Sequence, residues 1–248
     1  MNPRAVMVIW RRELKIYSRD KAGRISSIAR SVLWLLVFGG GFGAARFSGL
    51  NVGYQEFLFP GIIAMSLIFT SMRSGISVIW DKEFGFLKEI LVSPASRFSI
   101  MAGKVLGSST IAVFEGLIVL VLGPFVGAKI TLAKVVLCVA VMFLMSLTLV
   151  SLGLIMSMLM KTFEGFQSVM NLIIMPMFFL SGALFPIEKM PGWMTPLVAI
   201  NPATYGVDML RLVLVGVSNH TPAFDLALML LYAAVAMTLG VRAFKLGD

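Results

Sequence analysis

Charge is scarce in this chain, and acid is scarcer than base: 13% of its 248 residues are charged, with 12 acidic against 21 basic residues. Soluble globular chains carry about 25% charged residues. The deficit excludes an ordinary soluble surface over most of the length. Cysteine occurs once, as Cys138, and histidine once, as His220. No disulfide within the chain can form, no metal-ligand cluster is visible, and no metal is expected. Nucleotide-binding and hydrolytic motifs are missing as well. Gly103-Lys104 comes nearest to a phosphate-binding loop, but Phe98 stands where the first Gly belongs and Val105 follows where Ser or Thr is needed. There is no Gly-x-Ser-x-Gly elbow and no His-Glu-x-x-His.

What is present is apolar sequence. The chain is 58% hydrophobic, with a mean hydropathy of +0.94. A membrane-crossing helix needs roughly 20 apolar residues, and six candidate spans emerge at 31–45, 57–80, 104–126, 132–160, 166–185 and 223–244. The first is short unless 25–29 join it with Arg30 reaching back to the surface. It lies too far from the start for a cleaved signal peptide and reads as a retained anchor. Ahead of it, Val6, Trp10, Leu14 and Tyr17 recur at helical spacing, with Arg4, Arg11, Arg12, Lys15 and Arg19 mostly elsewhere on the wheel. Residues 1–30 therefore suggest an amphipathic helix in the headgroup region; the same pattern suits packing on a protein partner.

Net charge is +9. The basic residues flank apolar spans, which points to membrane topology and anionic lipid and not to nucleic acid. With the N-terminus inside, inner segments hold fifteen Lys and Arg and outer segments five. That asymmetry predicts both termini in the cytoplasm.

After the second span, Glu83, Gly85, Phe86, Leu87, Ile90, Leu91 and Pro94 lie in a short stretch with an apolar stripe. It predicts a cytoplasmic helix over 82–93, halted by Pro94. Such a helix fits a groove on a partner, or the membrane surface with no partner. Further on, Pro186, Pro191, Pro196 and Pro202 break the chain repeatedly. Asn201 is a natural N-cap with Pro202 in the first helical position. Asp208 and Arg211 stand three apart as a possible ion pair. Region 186–216 thus predicts short outer helices that dip into the membrane, where irregular backbone must be buried in protein or line a wet cavity; an ordinary external loop is the alternative.

These motifs resemble the membrane subunits of ABC-2 type exporters, the group of the daunorubicin, nodulation-factor and polysaccharide export permeases. The resemblance rests on Glu83-x-Gly85-x-Leu87…Leu91-x-x-Pro94…Lys104, and on Leu180-Ser-Gly-Ala-Leu-Phe-Pro186, Met190-Pro191, Asn201-Pro-Ala-Thr-Tyr205, Asp208 and Arg211. Phe86 stands where that family often has Ser or Thr. The resemblance implies an all-α integral membrane fold of the type V exporter kind. It has six transmembrane helices, an interfacial N-terminal helix, a coupling helix that touches an ATPase, and an external re-entrant cap. It also implies two ABC ATPase subunits, which hold ATP and Mg while this chain binds no cofactor, and a second permease chain forming a homodimer. The location would be the plasma (inner) membrane.

Two ionisable residues, Arg73 and Glu115, fall inside spans and are costly in lipid unless paired or hydrated. They could meet each other, contact a polar substrate, or be satisfied separately by snorkelling and local bonds. The 18 Met suit varied apolar substrates, but gap-filling is their commoner role. The sequence reading is therefore an exporter permease subunit for an amphiphilic, drug-like or lipid-linked substrate. An ion-coupled transporter using Glu115 and Arg73, or a membrane-embedded enzyme, are the alternatives.

Overall fold

A computed structural model describes residues 2–41, 53–85 and 96–246, and among these the regular elements are all helical. Helix α1 is Pro3–Arg19, α2 Lys21–Gly41, α3 Tyr54–Arg73 and α4 Ile76–Glu83. Then follow α5 (Arg97–Leu120), α6 (Leu132–Leu159), α7 (Phe163–Phe179), α8 (Thr195–Ile200), α9 (Pro202–Val215) and α10 (Pro222–Leu246). Single 3-10 turns occupy Gly123–Val126, Ile187–Lys189 and Gly192–Met194. Five stretches are long and apolar enough to cross a membrane, or up to six if the bent pair Gly192–Ile200 and Pro202–Val215 counts as one. The molecule is an all-helical, multi-pass membrane protein.

Helix α3 is the centre. Every residue from Phe57 to Ile68 is buried, as expected of a helix that is apolar all round. It touches α2, α5, α6, α7 and α9. Helices α2 and α10 lie at the edges and turn Leu33, Leu36 and Val37, and Leu226, Leu230 and Leu231, outward. Met142, Met145 and Met170 are buried. The sulfurs of Met142 and Met145 fill the space over Gly116 and Gly206, which is the gap-filling role.

Several boundaries differ from the sequence expectation, each for a local reason. Helix α2 starts at Lys21, so 25–29 do belong to it. The guanidinium of Arg30 lies 4.5 Å above the Phe69 ring instead of in the open. Helix α5 starts at Arg97 because Ser96 caps it, its side chain accepting from the Ser99 N–H. The span expected over 57–80 is one stretch, Tyr54–Glu83, with a local interruption at Ser74 and Gly75 between α3 and α4. There a Cβ on Gly75 would sit 2.4 Å from the Gly153 carbonyl oxygen of α6, so only glycine permits the approach. Helix α7 ends at Phe179 and has 17 residues, about 26 Å at 1.5 Å per residue. A left-handed Gly182 (φ +76) turns the chain shortly after it.

Helix α1 packs on α5, with Ile9 and Val6 over Gly103 and Glu13 and Trp10 over Gly107. The stripe expected to face lipid is the side turned to α5. Basic residues share the outer side with Met7, Val8 and Ile16.

Candidate functional site

Helices α1 to α5 and α7 enclose a cleft of about 390 Å³. Its walls mix aromatic and polar groups, including Tyr17, Trp80, Phe163, Gln167, Arg73 and Glu115. Glu115 of α5 is 3% exposed. Its carboxylate accepts from the Ser27 hydroxyl of α2 (2.5 Å) and from the Thr70 hydroxyl of α3. One carboxylate thus joins three helices. Tyr17 of α1 stands nearby, and burial followed by the charge of Glu115 pushes its hydroxyl well above the ordinary range, so it stays protonated. Arg73 lines the same cleft but is exposed. The two intramembrane residues singled out from sequence therefore share one cavity, while the hydrogen bonds of Glu115 go to hydroxyls and not to Arg73.

The wall of the cleft also holds a second set of charges, Arg12, Glu13 and Asp81, with Lys104 behind them, that sequence spacing did not disclose. Lys104 is 1% exposed. Its ammonium donates to Glu13 of α1 (3.1 Å), Asp81 of α4 (2.9 Å) and the Ser77 hydroxyl (3.1 Å). Asp81 also accepts both terminal nitrogens of Arg12, one at 3.1 Å. That bond raises the Arg12 pKa, against the effect of its burial. Four ionised groups so bind α1, α4 and α5 together, each charge paired, as burial demands. Next in sequence, the Lys82 ammonium donates to the carbonyls of Ser157 and Met158 (2.8 Å each) and Met160 (3.3 Å). It caps the C-terminus of α6.

The segment expected to contact an ATPase begins where α4 ends. Glu83 is its last residue. Gly85 takes a left-handed backbone (φ +77) that terminates the helix, and its N–H donates to the Lys82 carbonyl. Phe84 just before it is 73% exposed. Phe86, Leu87, Ile90, Leu91 and Pro94 lie outside the described residues.

In region 186–216 the chain forms a corner. The pair Gly192–Ile200 and Pro202–Val215 meets at 89°. Asn201 caps α9, its side-chain oxygen accepting from the Ala203 N–H (3.0 Å) while its amide donates to the Met177 carbonyl (2.7 Å). Pro202 takes the first helical position. The Tyr205 hydroxyl donates to the Ala199 carbonyl at 2.6 Å. Pro186 and Pro191 each precede a 3-10 turn. The possible Asp208–Arg211 ion pair does not form. Arg211 donates to the Gly182 carbonyl (2.7 Å) and lies 3.9 Å above the Phe57 ring, because the buried interior supplies those partners within reach. Asp208 instead accepts from the backbone N–H groups of Asn219 and His220. The expectation of no metal-ligand cluster also needs correction. The fold brings Asp208, His220 and Asp225 together, their ligand atoms within 4.8 Å of one another.

Comparison with known proteins agrees with this architecture. A transport permease relative from Cyanophora paradoxa, ycf38, is 31% identical over 75% of this chain and 66% of its own length. A relative named as a multidrug ABC transporter permease, YbhR of Escherichia coli K12, is 32% identical over 65% of this chain and 44% of its own length. Nodulation protein J of Rhizobium leguminosarum bv. viciae is 24% identical over 92% and 89%. The model of the ABC-2 type transporter family matches residues 4–215. With most of its length matched and the all-helical bundle that goes with it, the chain belongs to the ABC-2 type transporter family.

Proposed function

We propose that the chain is the permease half of an ABC exporter, moving an amphiphilic, drug-like or lipid-linked substrate out of the cytoplasm. A pair of copies would form the pathway, and two separate ATPase subunits, which hold ATP and Mg, would drive it. The observation that carries this reading is the cleft. Its aromatic and hydroxyl walls, with Glu115 buried and Arg73 open, suit a molecule with an apolar body and a polar head. The Asp81 side of that cleft runs directly into the segment from Glu83 onward. Force applied there reaches α1 and α5 through Asp81, Arg12, Lys104 and Glu13. The corner at Asn201–Pro202 would close the opposite end, with Pro186, Pro191, Tyr205, Asp208 and Arg211 shaping it. The charge asymmetry supports both termini in the cytoplasm.

Purified alone, the chain should hydrolyse no ATP. Co-expressed with its cognate ATPase it should co-purify, and Phe86→Asp or Leu87→Asp should abolish that association. Substrate uptake into inverted vesicles, whose cytoplasmic face is outward, should stop when ATP is withheld. Export that persists without ATP and follows an ion gradient would instead favour the ion-coupled reading built on Arg73 and Glu115.

A further inference from the structure

We infer that Asp208, His220 and Asp225 form a binding site for a divalent transition cation, with Zn²⁺ the best match. The inference does not depend on the exporter reading. Asp208 lies on α9, His220 in the loop that follows it, and Asp225 in the first turn of α10. Both aspartates are 0% exposed.

The two separations that involve His220 fit a small cation, and all three ligand atoms lie within 4.8 Å of one another. Ligands about 2.0–2.1 Å from a tetrahedral zinc stand about 3.3 Å from one another. His220 Nδ1 is 3.2 Å from Asp225 Oδ1 and 3.6 Å from Asp208 Oδ2. The hydrogen-bond pattern points the same way. Asp208 already accepts from the N–H groups of Asn219 (2.8 Å) and His220 (3.1 Å) and from the Asn219 amide (3.0 Å). These bonds fix the carboxylate as outer partners fix a metal ligand. Independently, among the described residues the fully buried Asp225 receives no backbone N–H: its oxygens face only the imidazole Nδ1, 3.2 Å from Oδ1, and the Asp208 carboxyl. A buried carboxylate is rarely left so.

Among the described residues, no lysine or arginine forms an ion pair with either aspartate. Arg211, one turn after Asp208, directs its guanidinium to Gly182 and Phe57. The rings of Tyr205 (5.9 Å) and Phe224 (5.5 Å) flank the imidazole and hold its plane. One nitrogen and two carboxylate ligands suit zinc and its transition-metal neighbours better than Mg or Ca, which prefer all-oxygen sets. His220 keeps 35% of its side chain exposed, so a fourth position faces an open route. A bound ion would staple α9 to α10 across the intervening loop.

The test uses the full chain in detergent, stripped with EDTA and titrated with Zn²⁺. Calorimetry should give one ion per chain, and the unfolding temperature should rise with Zn²⁺ but not with Mg²⁺. Co²⁺ should give the visible spectrum of a tetrahedral site. His220→Ala and Asp225→Asn should each weaken Zn²⁺ binding by more than about 100-fold and remove the thermal shift. If Asp225→Asn fails to fold, the partly exposed His220 decides through His220→Ala. Absence of a Zn²⁺-dependent shift in the parent chain, or unchanged binding in His220→Ala, overturns the site and leaves an imidazole bridging two carboxylates.

Discussion

Lys104 is the clearest case of one residue acting on several helices. Its ammonium lies between Glu13 and Asp81 with no access to water. Removing it strands two carboxylates unequally: Asp81 keeps Arg12, while the buried Glu13 keeps only an Arg12 nitrogen at 3.9 Å. Breaking a buried pair from one side costs about 3–5 kcal/mol, whereas replacing both members can be neutral. Lys104→Met should therefore lower thermal stability sharply, and Lys104→Met with Glu13→Gln should recover much of the loss. Thermal unfolding of the three proteins in detergent checks this, and a double variant no better than the single one would count against the pairing. Glu115 is satisfied differently. Its partners are the hydroxyls of Ser27 and Thr70.

At the scale of elements, packing turns on a few glycines. Gly75 sits where α3 gives way to α4, and Gly153 faces it from α6 with its own Cβ position 2.7 Å from the Met72 carbonyl oxygen. Gly75→Ala should force these helices apart and cost about 1–3 kcal/mol, read as a lower unfolding temperature and poorer yield. Structure that is set locally is legible in the sequence. The Asn201-Pro202 start of α9 was legible because a cap and a preset φ act within three residues. The apolar centre of α3 was legible because its run is unbroken. Structure decided by a remote partner is not. Glu13 carries no local signal of its role, since its partner Lys104 is 91 residues away. His220 looked isolated, since the aspartates flank it at 12 and 5 residues on different helices. The start of α5 was set too late because Ser96, a modest cap, stands inside a polar stretch.

The whole molecule presents an uneven distribution of positive charge and a single thiol. Cys138 is buried, which makes the parent chain a quiet background for labelling. With both termini inside, Lys189→Cys should react with a membrane-impermeant maleimide on intact cells, and Lys161→Cys only after permeabilisation. Equal labelling at both positions would refute that topology. The exposed flanks of α2 and α10 are apolar enough to meet lipid or a second copy.

The arrangement around Lys104 also bears on how the chain is made. Synthesis runs from the N-terminus, and both acids that receive this lysine precede it, Glu13 by 91 residues and Asp81 by 23. When α5 leaves the ribosome, its cation has counter-ions already waiting on earlier segments. A lysine is expensive to admit to a bilayer by itself. Here the order of translation itself supplies the escort, so insertion of α5 depends on α1 and α4 having been delivered first.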